Sequence, residues 1–209
     1  MGDTVIGLKG KDFTLLAADT TASFSIILMK DTEDKITAVP NQNILIAAQG
    51  EQGDRVQFVE FITKNLNLYR LRNDTNLSVK ASAHFVRQEL AKALRSGPYQ
   101  TNIMVGGVDD IEGAKPELYY IDYLSSMQEV KYGAHGYGSY FTLSILDKHY
   151  KDGMNLNEAL IVLRMCVAEI QKRLLLNTPS FIVKVVDKYG SREVDLFSDQ
   201  TLPADAMQE

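Results

Sequence analysis

Asp19 ends an apolar run, Phe13 to Ala18, and Lys35 follows it by 16 positions; Asp3 precedes it by the same interval, between Gly2 and Thr4. A lysine held against carboxylates has two uses. It can favour the deprotonated form of a neighbouring nucleophile, or it can persist as a paired structural charge that is costly to break. Asp3 has no hydroxyl with which to form an ester. Thr4 has one, but a one-residue step along a strand turns a side chain to the opposite face, so Thr4 is expected to face away from Lys35. If Asp19 and Lys35 meet in the fold, the structural use is the expected one, because ion-pair networks often mimic active sites.

Other chemistry-bearing residues form no constellation. His84, His135, His149 and Cys166 lack metal-type spacing. His84 falls beside the apolar face of a helix, and His149 ends a helix, where a cation suits the dipole. Cys166 lies inside a helical apolar pattern and reads as a small buried hydrophobe. Gly133 to Gly138 lacks the Gly-Lys-Ser/Thr ending of a phosphate loop. No cofactor and no metal is expected.

The elements that must position these residues follow from periodicity. Val5–Leu8 and Phe13–Ala18 read as a hairpin across Lys9 to Asp12, with further strands at Phe24–Met29, Ile36–Val39 and Asn43–Gln49. A helix from Asp54 to about Asn73 carries Val56, Val59, Ile62, Leu66 and Tyr69 on one face. A second, after Asn76, carries Val79, Ala83, Val86, Leu90 and Leu94 and stops at Gly97-Pro98. Strands return at Asn102–Val108, Glu117–Asp122 and Gln128–Tyr132, the first two joined as a hairpin. A third helix spans Gly138 to His149. A fourth starts at Asn155, with Glu158 as its capping-box partner, and its stripe runs from Leu156 to Leu174. Ser180–Asp187 and Glu193–Phe197 close the pattern as strands, and the polar tail from Ser198 is expected to be extended.

Strand runs alternating with helix pairs argue for an α+β fold: a four-layer αββα sandwich of two mostly antiparallel sheets, each covered by a helix pair. One domain over residues 1–209 is long enough to bury such a core. The net charge of −5 comes with no Lys/Arg block, which argues against nucleic-acid and membrane-surface roles. A single cysteine excludes a disulfide framework and favours a reducing compartment. With no leader-like or membrane-spanning stretch visible, the cytoplasm and nucleus are the expected locations.

The order of elements and several strings resemble the proteasome β-type subunits, members of the N-terminal-nucleophile hydrolases. Gly50-Glu51-Gln52-Gly53-Asp54 stands where those subunits have a Gly-rich strand-to-helix turn, and Ser144-Ile145-Leu146-Asp147 resembles their small-x-Leu-Asp helix ending. Val56-Gln57-Phe58, Tyr119 to Leu124 and Ala134-His135-Gly136-Tyr137-Gly138 are most similar to the non-catalytic fourth β type. The resemblance runs from about residue 4 to residue 197.

In active members of that family an N-terminal Thr, freed by autocleavage after a Gly, attacks the peptide carbonyl with its own amino group as base. The resemblance places Gly2 at the cleavage glycine, Asp19 and Lys35 at the Asp–Lys pair, and Gly50 at the oxyanion donor. It also places Asp3 at the nucleophile, Tyr137 and Asn177 at the two supporting serines, and Leu174 at the second Asp. Four positions thereby lose their chemistry together. The resemblance implies a non-catalytic ring subunit that contacts β neighbours, the α ring and the opposite β ring, and helps enclose a proteolytic chamber; the alternative is an active threonine protease using Thr4.

Overall fold

A computed structural model describes residues 3–24, 27–109, 111, 113, 115–175 and 180–197. One sheet has the strand order β10-β1-β2-β11-β12, built from β1 (Thr4–Lys9), β2 (Phe13–Asp19), β10 (Tyr132–Gly136), β11 (Phe181–Asp187) and β12 (Gly190–Glu193). The other runs β5-β6-β7-β8-β9, from β5 (Ile36–Ala38), β6 (Ile44–Gly50), β7 (Thr101–Val108), β8 (Pro116–Ile121) and β9 (Met127–Glu129). Every described strand pairing is antiparallel. The helices are α1 (Gln52–Asn73), α2 (Val79–Ala93), α3 (Ser139–His149) and α4 (Leu156–Arg173).

Three apolar cores separate four layers, and β2 shows how one strand serves two of them. All seven of its residues are buried. Leu15 and Ala17 point to a core shared with Leu160, Leu163, Val167 and Ile170 of α4. Leu16 and Ala18 point the other way, to Leu45, Ala47, Met104 and Leu118 of the facing sheet. Period-two alternation with both faces apolar is what a strand buried on both sides requires. The third core packs Ile46, Ile103 and Val105 against Phe58, Ile62, Val86 and Leu90 of α1 and α2. The expected αββα sandwich is the observed one.

Local chemistry sets the helix ends. Asn155 Oδ1 accepts the Glu158 amide at 2.9 Å while Glu158 Oε2 accepts the Asn155 amide at 2.8 Å, a complete capping box. Ser78 caps α2 through the Ala81 amide.

Four sequence expectations need correction. Phe24–Met29 is not one strand: β3 (Ala22–Phe24) and β4 (Ile27–Lys30) pair with each other as a separate two-stranded sheet. Gln128–Tyr132 divides at Val130, because β9 belongs to one sheet and β10 crosses to pair with β1 in the other. The last strand is Gly190–Glu193, earlier than Glu193–Phe197, since a tight turn sets Gly190 opposite Asp187. On α1, Phe58 and Arg55 face inward, whereas Val56 and Tyr69 are exposed; the helix has two apolar faces, and only one meets the sheet. The tail from Ser198 lies outside the described residues.

Candidate functional site

The residue before β1, the end of β2 and the segment leading into β5 bring three ionisable groups to one end of the sandwich. Lys35 Nζ donates to Asp19 Oδ2 at 2.8 Å, to Asp3 Oδ1 at 2.8 Å and to the Thr21 carbonyl at 2.7 Å. The side chains of Lys35 and Asp19 are wholly buried, and that of Asp3 is 18% exposed. An ammonium has three donors, so Lys35 has none left over.

Asp19 is equally committed. Its Oδ1 accepts the Thr4 amide at 2.6 Å, and its Oδ2 accepts the Thr21 hydroxyl at 2.6 Å besides Lys35. Thr21 was not foreseen from the sequence; its position two residues after an Asp is the usual signal for such a side-chain turn. The Thr4 side chain is fully buried, and its hydroxyl accepts the Gly138 amide at 3.2 Å rather than facing Lys35.

The rim is made by backbone. Gly136 pairs with Thr4 in register and has φ +82°, and a Cβ there would meet the Asp3 carbonyl oxygen at 1.8 Å, so only glycine fits. Tyr137 follows it with a side chain 53% exposed. Gly50 has φ +142°, and a Cβ would strike the Gln100 carbonyl oxygen at 2.1 Å, a packing reason for glycine that needs no oxyanion. Leu174 closes α4, where its amide donates to the Ile170 carbonyl and its side chain packs against the apolar core. It offers no carboxylate. Gly2 and Asn177 lie outside the described residues.

A cleft of about 590 Å³ opens beside Lys35, lined among others by Glu33, Ala48, Arg55 and Val59. The Arg55 guanidinium, hydrogen-bonded to Glu33 at 2.9 Å, holds the Glu33 carboxyl below its ordinary range. His135 is stacked on Tyr120 at 3.9 Å and contacts the Ile103 carbonyl at 3.2 Å; burial pushes its pKa down to about 4. Burial pushes the Cys166 thiol up to about 12, which suits packing and not nucleophilic work. Among the described residues, no group of three His, Cys, Asp or Glu side chains could hold a metal ion, and no helix is long and apolar enough to cross a membrane.

Comparison with known proteins places the chain in a family. The proteasome subunit family matches residues 1–186. The chain belongs to that family. It is 48% identical over 191 residues to proteasome subunit beta type-2-A of Arabidopsis thaliana, covering 91% of this chain and 92% of that one. It is 45% identical over 199 residues to proteasome subunit beta type-4 of Saccharomyces cerevisiae, covering 95% of this chain and all of that one. A beta type-2 subunit of Dictyostelium discoideum is 41% identical, covering 90% of this chain and 94% of that one. The chain is thus a proteasome β subunit of the core particle, where it assembles with other proteasome subunits.

Proposed function

We propose that this β subunit is non-catalytic: a ring member that completes the wall of the proteolytic chamber and performs no cleavage itself. The observation that carries the reading is the saturated Lys35 ammonium. Asp3 stands where an active subunit would have its hydroxyl, and one of its own carboxylate oxygens occupies the lysine. A carboxylate so paired neither attacks a peptide carbonyl as a hydroxyl does nor drives self-cleavage after Gly2.

The geometry of Thr4 opposes the alternative of an active Thr4. A nucleophile and its base must lie within hydrogen-bond reach, whereas the Thr4 hydroxyl is buried against Gly138 and its amide is bound by Asp19. Tyr137 and Leu174 supply no short hydroxyl and no carboxylate at the positions where active members are expected to have them.

The same reading assigns the subunit contacts with two β neighbours, with α subunits and with the opposite β ring, in ATP- and ubiquitin-dependent protein degradation in the cytoplasm and nucleus. The lone, buried Cys166 is compatible with a reducing compartment. Exposed Ile27, Leu28 and Met29 suit a chain that lives in contact with others.

The test is Asp3→Thr within assembled particles, treated with a threonine-directed covalent inhibitor. The replacement restores a hydroxyl after Gly2, but the other groups stay changed, and catalytic units lose function non-additively. No inhibitor adduct on this subunit is expected, and intact mass should show a chain unprocessed at positions 2–4. An adduct on the new threonine would show that only the nucleophile had been lost and the rest of the site kept its competence; a wild-type chain beginning at Thr4 would overturn the reading.

A further inference from the structure

The β3–β4 hairpin has little apolar support of its own. All four residues of β4 are exposed within the chain, with Met29 at 70%, so burial of β4 is not what aims the hairpin relative to the sandwich. Its roots are held by charge instead.

Three consecutive side chains just after the hairpin each reach a different element. Glu33 pairs with Arg55 of α1 at 2.9 Å. Asp34 pairs with Lys184 of β11, whose ammonium also donates to the Ile36 carbonyl at 2.6 Å. Lys35 pairs with Asp19 at the end of β2 and binds the carbonyl of Thr21, the residue before β3. The two roots are then joined to each other: the Glu33 amide donates to the Thr20 carbonyl at 2.8 Å, and Lys30 at the end of β4 pairs with Glu33 at 3.1 Å.

Arg55 sharpens the point. It is 4% exposed, and its Nε has no hydrogen-bond partner among the described residues. A guanidinium buried at that cost has one ion-pair partner among the described residues, Glu33.

We propose that Glu33–Arg55, Asp34–Lys184 and Lys35–Asp19 form a single three-pair clamp that positions the β3–β4 hairpin against the sandwich. Lys35–Asp19 is its innermost pair, so the charges at the seat serve to aim an arm. The clamp stands whether or not the seat is catalytic, since inhibitor labelling reads the seat and hairpin order reads the clamp.

Amide hydrogen exchange on assembled core particles tests it. Arg55→Met is expected to speed exchange in β3 and β4 about tenfold while β6 and β7 keep their wild-type rates, the pattern of local rather than global opening. The charge exchange Glu33→Arg with Arg55→Glu is expected to return the hairpin towards wild-type protection. Lys184→Gln cuts the more exposed pair and serves as the milder variant if Arg55→Met fails to assemble; the same regional pattern is expected, at smaller amplitude. Unchanged hairpin exchange in both single variants, equal acceleration in β6 and β7, or a charge exchange that leaves the hairpin fast would each overturn the clamp.

Discussion

The two ends of β2 obey different physics. From Phe13 to Ala18 its side chains, Thr14 apart, are apolar and pack into two apolar cores. At Asp19 the same strand enters a cluster in which every contact to the carboxylate is a hydrogen bond or an ion pair. Along the apolar stretch, removing atoms costs in proportion to the cavity left behind, and neighbours can partly relax. At the charged end, removing one partner strands another desolvated charge, and nothing nearby can substitute.

The sharpest way to break that contrast is Lys35→Ala. It leaves Asp19 buried and Asp3 unpaired, a loss of about 3–5 kcal/mol. Few variant subunits should be recovered in assembled particles, while peptidase activity per assembled particle stays unchanged. Adding Asp19→Asn to Lys35→Met should recover part of the loss, because the stranded charge goes too. A double variant as poorly incorporated as Lys35→Ala would show that packing, and not charge, dominates the site.

Leu163→Ala probes the apolar side, where Leu163 is fully buried between α4 and the sheet. A loss of about 2–5 kcal/mol is expected, with Leu163→Met costing under about 1.5 kcal/mol. Particle melting curves measure both. Such a graded response to size is what the charged end should lack.

A further effect is conditional on pH. His135 is neutral when folded, with its pKa lowered from 6.5 to about 4, chiefly by burial. The unfolded chain therefore binds a proton first as pH falls, so stability is complete above about pH 6.5 and is lost between there and about pH 4. At 1.36 kcal/mol per pH unit, about 2 kcal/mol should disappear between pH 7.5 and pH 5. His135→Phe, which keeps a ring against Tyr120, should flatten that slope in a pH series of melting curves. An unaltered slope would assign the acid sensitivity to other groups.

What the sequence disclosed followed the same division. α4 was legible because its stripe and its Asn155–Glu158 cap are local signals, both satisfied within one helix. β2 and β6 were legible as unbroken apolar runs. The break at Val130 was not, because β9 and β10 are distinguished by which strand they pair with, a long-range choice absent from local alternation. On α1, Val59, Ile62 and Leu66 were legible as inward-facing, whereas Val56 was misplaced for a related reason: Val56 and Phe58 are both apolar, and only the position of the sheet selects Phe58. At the site, the family resemblance, with the spacing of the three residues, put Asp3, Asp19 and Lys35 forward. Thr21 escaped notice although its place two residues after Asp19 is a turn signal, and Arg55 because an inward-turned guanidinium leaves almost no mark on sequence.

The close approach of Gly136 to Asp3 separates what can vary from what cannot. It is the main chain of residue 3 that fills the space beside Gly136, with no room for even one added carbon. The side chain of residue 3 points elsewhere, towards Lys35 and a partly open seat. Mutational tolerance at these two neighbouring positions should therefore be opposite in kind: position 3 can exchange one short polar group for another with the frame intact, while position 136 admits no replacement. A fold built this way can lose a reactive group in a single step without first becoming unstable, because the frame that locates the group and the group itself are encoded by different residues.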